Sequence, residues 1–410
     1  MSAQYELIAP CFFGCESTAS FELRRIGAEE IRVTDGRLTF RGGAEMIAAA
    51  NLNLRTVERV MVLLASYPAS TFDELFDGVY NIHWEELLPA DAAIPVTGSS
   101  LDSQLTSVPA CQSIIKKAIV KRMMQGHHTS VLPESGVEYR VRFMLRKNLC
   151  EIMLDTTGEG LYKRGYRRNA MEAPIRETLA ATIADLGRVR RDSLVEDPFC
   201  GSGTLVIEAA QKALNIAPGL KRRFAAERYS FVPASVWAEQ RQLALAQTRL
   251  DAGFEGIGYD IDPAAVALAN ANAKLAGVDK RCRFEVADVA QFAARPEAIV
   301  LTNPPYGERM GTIEGAARLA RTLGRQMEAH PCQGLYAITA DLEFESHYGK
   351  RANKRRKMYN GMIPCQLYMY YNVPNREQKP AAAAKPLPKT GFDGKRSYPT
   401  GRRPLRTDEK

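Results

Sequence analysis

The chain has 410 residues, 45% of them apolar, and a formal net charge of +8. That length suits two or three domains, and no apolar run approaches the roughly 18 residues that span a bilayer, so neither a membrane span nor a membrane partner is expected. The N-terminal Met1-Ser2-Ala3-Gln4-Tyr5 lacks a basic-then-apolar leader pattern, and the eight cysteines are scattered, with three residues between the nearest pair, Cys11 and Cys15; this argues against a zinc site or a disulfide framework and for reduced thiols in the cytoplasm.

Residues 4–56 read as a small α+β unit. Tyr5–Ala9 suits a strand, Glu16–Ile26 a helix, Ile31–Phe40 a hairpin turning at Asp35-Gly36, and Glu45–Leu54 a second helix. No catalytic constellation stands in it. A second α+β unit follows from Arg59 to about Thr157. Its helix Pro109–Met124 carries an apolar stripe of Ala110, Ile114, Ile115, Ala118 and Ile119, while Lys116, Lys117, Lys121 and Arg122 gather elsewhere. In Tyr139–Leu145 the alternation puts Tyr139, Val141, Phe143 and Leu145 on one face. Arg140, Arg142 and Arg146 fall on the other, with Met144 among them. Such a face is a solvated surface or, beside a four-cation helix, a contact for nucleic acid.

Leu161–Asn169 interleaves Lys163, Arg164, Arg167 and Arg168 with Tyr162 and Tyr166. The pattern suits phosphate contacts with base stacking, or a solvated linker. A helix from Pro174 to Ile183 comes next.

Residues 192–374 read as an α/β unit. A short strand, Ser193-Leu194-Val195, closes on Asp197-Pro198-Phe199-Cys200-Gly201-Ser202-Gly203-Thr204, and a helix starts at Leu205. Glycines between strand and helix let a ligand approach the backbone closely. The spacing fits neither the dinucleotide fingerprint nor a Walker A loop. The next strand ends in Asp260, placed for a ribose diol; a third ends at Asp288, placed for an adenine amine. Between the first two lies a long insert, Asn215–Asp251, with Lys221-Arg222-Arg223 and an amphipathic helix.

The fourth strand, Ala298–Leu301, runs into Asn303-Pro304-Pro305-Tyr306. Prolines fix φ and remove donors, so this segment offers carbonyls without competing N–H groups. The Asn303 oxygen and the Pro304 carbonyl can hold the two N–H bonds of a planar amine. Its nitrogen can then pyramidalise as it attacks, while Tyr306 stacks on the ring. The plain alternative is a tight turn after a strand. A fifth strand, Gly334–Thr339, precedes a hairpin over Lys354–Tyr359 and Ile363–Tyr371, turning at Asn360-Gly361. Lys350, Arg351, Lys354, Arg355, Arg356 and Lys357 place six cations in eight positions before and into it; they form a solvated face or a phosphate contact. Arg376–Lys410 carries ten Lys/Arg against four Asp/Glu and few apolar residues. It is expected to be disordered, either attracting RNA nonspecifically or solubilising the chain.

Glycine turn, second-strand acid, third-strand acid and Asn-Pro-Pro-Tyr stand in the order of a class I S-adenosylmethionine-dependent methyltransferase. Asn303-Pro304-Pro305-Tyr306-Gly307-Glu308-Arg309-Met310, with Ala173-Pro174-Ile175-Arg176-Glu177-Thr178-Leu179-Ala180 upstream, resembles the THUMP-domain RNA methyltransferases. Within these it is most similar to the bacterial 23S rRNA guanine-N2-methyltransferases. The resemblance covers about residues 1–374. It implies an α/β, Rossmann-like methyltransferase domain with a mixed seven-stranded sheet over 161–374. A ferredoxin-like domain (1–58) and a THUMP RNA-binding domain (59–160) precede it, and a basic tail (375–410) follows. It implies S-adenosylmethionine held by Pro174, Thr178, Asp197, Phe199, Gly201, Gly203, Thr204, Asp260, Asp288 and Asn303. Catalysis falls to Asn303, Pro304 and Tyr306, with no metal. RNA contacts fall to Lys116, Lys117, Lys121, Arg122, Lys163, Arg164, Arg167, Arg168, Lys354, Arg355 and Arg356. The implied reaction is methyl transfer to a guanine N2 amine in 23S rRNA, free or in a ribosome-assembly intermediate. The motifs equally admit tRNA guanine, DNA adenine or cytosine, or a protein glutamine amide as acceptor. A noncatalytic RNA-binding assembly factor is the alternative outside enzymes.

Overall fold

The computed structural model describes residues 3–167, 175–306 and 313–371. Arg168, Pro174, Gly307-Glu308-Arg309-Met310 and the basic tail lie outside the described residues. The first part comprises β1 (Tyr5–Pro10), α1 (Glu16–Arg25), β2 (Glu29–Thr34), β3 (Arg37–Gly42) and α2 (Ala44–Asn53). It continues through β4 (Met61–Pro68), α3 (Phe72–Tyr80), α4 (Trp84–Leu87), β5 (Val96–Leu101), α5 (Val108–Gly126), β6 (Val141–Arg146) and β7 (Leu149–Asp155). The two α+β units share a single sheet of order β2-β3-β1-β4-β7-β6-β5. They join where β1 pairs antiparallel with β4, Ile8 opposite Met61. Each strand thereby covers an edge that the other unit alone would leave unpaired.

One face of this sheet is buried: Leu7, Phe40, Val62, Val141, Phe143 and Leu145 lie in one core with Leu23 of α1, Ile47 of α2 and Ile115 of α5. The alternation of β6 is as its sequence implies. The opposite face is a concavity of about 980 Å³, with Ile8, Met61, Met144 and Met153 among Arg37, Arg59, Arg142, Arg146 and Lys147. Some of its cations are already neutralised: Arg59 and Arg142 reach the buried carboxylate of Asp155 at 2.6 and 2.8 Å. Turn chemistry sets the register. Lys147 and Asn148, joining β6 to β7, both adopt positive φ (52° and 62°), as a type I′ turn requires. At Asp35-Gly36 only Gly36 does, at +73°, so that turn is not type I′.

The second sheet is built from β8 (Leu194–Asp197), β9 (Glu255–Asp260), β10 (Cys282–Val286), β11 (Ala298–Thr302), β12 (Gly334–Thr339), β13 (Lys354–Asn360) and β14 (Ile363–Tyr371). Its order is β10-β9-β8-β11-β12-β14-β13. Strands β8 to β12 are mutually parallel, while β14 and β13 are antiparallel, so the sheet is mixed. The chain winds outward through β8, β9 and β10, then crosses to β11 on the other side of β8. That reversal opens a crevice at the carboxyl ends of β8 and β11. Helices α6 (Glu177–Leu186), α7 (Thr204–Ala213), α8 (Ala234–Ala246), α9 (Pro263–Ala276), α10 (Ile313–Ala329) and α11 (Phe344–Tyr348) complete the unit.

The last hairpin turns one residue later than its Asn-Gly signal implies. Asn360 pairs with Ile363, leaving Gly361 and Met362 as the two-residue loop. Gly361 is at φ +67°, and Met362 is not at positive φ, the pattern of a type II′ turn. The side chain of Asn360 is committed elsewhere, accepting from the Arg176 backbone N–H at 3.3 Å.

Two stretches serve the fold rather than a surface. The insert between α7 and β9 buries Phe224, Tyr229 and Trp237 in the core of the first sheet. Phe224 stacks on Trp237 at 5.3 Å, and Tyr229 on Tyr139 of the first part at 4.3 Å. Its Arg222 donates to the carbonyls of Gly160 and Lys163 at 2.6 and 2.9 Å. The connecting run that the sequence offers for phosphates mostly turns inward. Arg164 is only 2% exposed and donates to the carbonyls of Leu161 and Arg55, with Glu208 at 3.6 Å. Tyr166 is buried and donates to Glu208 at 3.0 Å. Irregular backbone crossing between two cores leaves carbonyls that need donors, and a guanidinium supplies several from one side chain. Arg164 is therefore structural and not an RNA contact. Arg164→Ala strands the buried Glu208 carboxylate and is expected to cost about 3–5 kcal/mol. Urea unfolding should show that loss, with RNA affinity of the folded protein unchanged.

Candidate active site

A cavity of about 410 Å³ fills the crevice at the carboxyl ends of β8, β9 and β11, within the size range of small-molecule sites. Asp197 ends β8, and Thr302 ends the neighbouring β11. The Thr302 hydroxyl donates to Asp197 Oδ1 at 2.7 Å, and the Phe199 backbone N–H donates to the same atom at 3.0 Å. These bonds tie the glycine turn to the strand that presents Asn303. Burial pushes the Asp197 carboxyl up to about 7; the two hydrogen bonds oppose that shift, and Asp260 adds to it.

The glycine turn runs beneath the cavity. Gly201 lines it, at φ +50°, and donates its N–H to Asp260 Oδ2 at 2.8 Å. Gly203 does not line it; its φ is +81°, and a Cβ there would stand 2.8 Å from the Phe284 ring. Glycine at 203 thus serves backbone geometry and packing, and direct cofactor contact is corrected to that role. Asp260 also accepts from Asp262 N–H at 3.0 Å through Oδ1. Each of its oxygens retains a second lone pair, enough to accept from vicinal hydroxyls. Asp288, two residues past the end of β10, caps Ala290 N–H through Oδ1 at 2.8 Å. Its other oxygen is available for an exocyclic amine. Ile261, 69% exposed, and Val289 supply apolar walls for a planar ring. Phe199 and Thr204 also line the cavity, as does Leu319 of α10.

Asn303 and Pro305 border the cavity, while Pro304 is buried behind them and Tyr306 is half-buried beside them. Thr178 is placed differently from its expected role. It is fully buried, and its hydroxyl donates to Glu58 Oε1 at 2.5 Å. Among the described residues of that segment, Ile175, three residues earlier, is the one that lines the cavity. Arg167 is likewise no RNA contact: its Nη1 donates to the Ile175 carbonyl at 3.1 Å, and its Nη2 meets Glu177 at 3.3 Å. It braces the cavity wall, and burial pushes the Glu177 carboxyl up to about 7.

The cationic sites divide. Lys117 and Lys121 on α5 are exposed, but Lys116 is tied to Glu134 at 2.6 Å and Arg122 to Glu85 at 2.5 Å. Lys163 pairs with Glu159 at 2.8 Å, and Arg355 with Glu345 at 3.0 Å. Arg356 is half-buried against Cys15 Sγ at 3.8 Å, whereas Lys354 is exposed. Sequence reading gave no site role to Ile261 and Leu319, and none individually to Ile175 and Pro305, which it quoted only within motifs. Only α10 had a legible signal, since Ala316, Ala320, Leu323 and Met327 recur at helical spacing and are buried.

A glycine turn at a switch point, acids at three strand ends and an amide beside the cavity define a class I methyltransferase that uses S-adenosylmethionine. The chain belongs to the RMKL-like methyltransferase family, whose domain matches residues 164–369. An RlmL ferredoxin-like domain matches residues 6–61, and a THUMP domain matches residues 69–155. YpsC of Bacillus subtilis (strain 168), named for RNA methyltransferase activity, is 38% identical over 92% of this chain and 98% of its own length. The ribosomal RNA large subunit methyltransferase K/L of Syntrophotalea carbinolica is 33% identical over 90% of this chain. The match spans 53% of that longer protein. Among solved structures, SMU.472, a methyltransferase complexed with SAH, superposes at a TM-score of 0.84 with 37% identity, covering 90% and 99% of the two chains. A Listeria monocytogenes protein named as a predicted N6-adenine-specific DNA methylase superposes at 0.85 with 39% identity, covering 90% and 96%. The residues fit the cofactor: the acids match a ribose and an adenine amine, and Ile261 and Val289 match its ring.

Asp197 gives a pH signature. Burial favours its neutral form, so the unliganded protein loses stability as pH rises from the ordinary aspartate value of 3.8 towards about 7. A cationic ligand favours the ionised form. Cofactor affinity should therefore rise with pH by up to about tenfold per unit, levelling above about 7. Calorimetric titration across this range tests it, and Asp197→Asn should flatten the profile.

Proposed function

We propose that this protein transfers a methyl group from S-adenosylmethionine to the exocyclic N2 amine of a guanine in 23S rRNA, free or within an assembly intermediate. The observation that carries the reading is Asn303 at the rim of the cofactor cavity, held in register by the Thr302–Asp197 bond at 2.7 Å. When bound, the cofactor supplies an electrophilic methyl group on a sulfonium. The chain supplies acceptors: the Asn303 oxygen and a proline-bounded carbonyl hold the amine N–H bonds, so the nitrogen lone pair is free to attack. Tyr306 stacks on the base. A paired base cannot reach a crevice at a sheet edge, so the target is extruded or already unpaired. The K/L relatives are named for large-subunit rRNA, which favours that substrate. The arginine-rimmed concavity of the first sheet and the exposed Lys117, Lys121 and Lys354 suit its backbone. The proposed action on ribosomal RNA would have the protein work in the cytoplasm.

A DNA adenine amine is the second reading, favoured by the name given to the Listeria structure. Both readings need Asn303. Asn303→Ala is expected to keep RNA binding and to slow transfer by about 30- to 1,000-fold, equivalent to ~2–4 kcal/mol. Single-turnover kinetics with saturating cofactor measure it. Unchanged transfer in that variant removes Asn303 as the amine acceptor.

A further inference from the structure

Strand β14 pairs with β12 up to Thr339 opposite Gln366. Ile363 lies three residues beyond that pair, so the β13–β14 turn stands about 10 Å above the last paired residue of β12 at ~3.3 Å per residue. This is the sheet edge that carries Asn303. Two strand spacings separate β14 from β11, about 10 Å laterally. The turn is also fixed to the cavity wall, because Asn360 Oδ1 accepts from the N–H of Arg176, next to the cavity-lining Ile175.

The tip of this turn is apolar. Met362 is 97% exposed, the neighbouring Ile363 37% and Tyr359 45%. Turns are ordinarily polar, and the type II′ geometry needs glycine only at Gly361. Nothing in the fold requires a methionine at its most exposed position. Single exposed apolar residues are common on surfaces, but here three fall within five positions at one hairpin tip, at the sheet edge that carries the cavity and next to a cationic strand. Lys354 and Lys357 have no carboxylate partner among the described residues, and Lys357 stands 5.8 Å from the Tyr359 ring centre. Cations at the base and an apolar point at the tip match a polyanion whose interior is stacked bases. Proteins that kink or open duplexes insert such apolar wedges between base steps.

We propose that the Gly361–Met362 turn is a wedge: Met362 enters the RNA stack beside the target and occupies the space the extruded base vacates, while Lys354 and Lys357 hold the flanking phosphates. This rests on the RNA reading above and assigns it a device for extrusion. The wedge matters when a base must leave a stack and is idle when the base is already free. Its loss should therefore affect structured and unstructured substrates differently.

The test compares wild type with Met362→Ser on two probes: an unmodified 23S rRNA transcript, and a short unstructured oligoribonucleotide copied from the site that wild type methylates in it. Met362 is almost wholly exposed, so the substitution spares the core; cofactor titration and thermal unfolding check this. The expected result is a loss of about 10- to 100-fold in kcat/KM on the transcript, since unstacking costs a few kcal/mol, with the oligonucleotide methylated at the wild-type rate. An equal loss on both probes, or no loss on either, overturns the wedge. So does unchanged methylation with an altered oligomeric state, which would make the tip a contact between copies. If wild type methylates no RNA, the RNA reading fails and the wedge with it, a result distinct from a wild type that is active and indifferent to Met362.

Discussion

The hydrogen bond from Thr302 to Asp197 is the joint on which the catalytic half depends. It links the ends of β8 and β11, the adjacent strands between which the winding of the sheet reverses. One partner opens the glycine turn; the other precedes Asn303. The glycine turn and Asn303 are thus held against each other by a bond at a site that burial keeps dry enough to raise the carboxyl to about 7. A buried carboxylate close to a second acid is costly without a cation. That cost falls in the lining of the cavity, where the proposed sulfonium-bearing cofactor would offset it.

The rest of the chain keeps this joint in place and brings a large substrate to it. The first sheet is continuous across two units, and the insert of the methyltransferase half buries Phe224, Tyr229 and Trp237 in its core. Arg164, Glu208 and Tyr166 fasten the connection from within. The two halves therefore share apolar and polar seams.

How far the sequence foretold this depends on where each residue's partners lie. The glycine turn, Asp260, Asp288 and Asn303 were legible because their chemistry is local: strand, acid and turn are consecutive, and their place at a sheet edge follows from that order. The alternation of β6 was legible for the same reason. Arg164, Arg167 and Thr178 were not, because a cation or hydroxyl in a connecting run looks the same whether it faces phosphate or a distant buried carboxylate. Glu208 lies 44 positions from Arg164. The Asn360-Gly361 signal located a hairpin but missed its register by one residue, since Asn360 is drawn to a backbone N–H 184 positions away.

The proposed reaction is methyl transfer to a guanine amine of large-subunit rRNA. It is tested most directly by incubating the protein with tritiated S-adenosylmethionine and separate pools of unmodified 23S rRNA, 16S rRNA, tRNA and DNA, followed by nucleoside mass spectrometry. Label is expected in 23S rRNA as N2-methylguanosine. Label as methyladenine in DNA, or no label in any pool while the cofactor still binds, would contradict it.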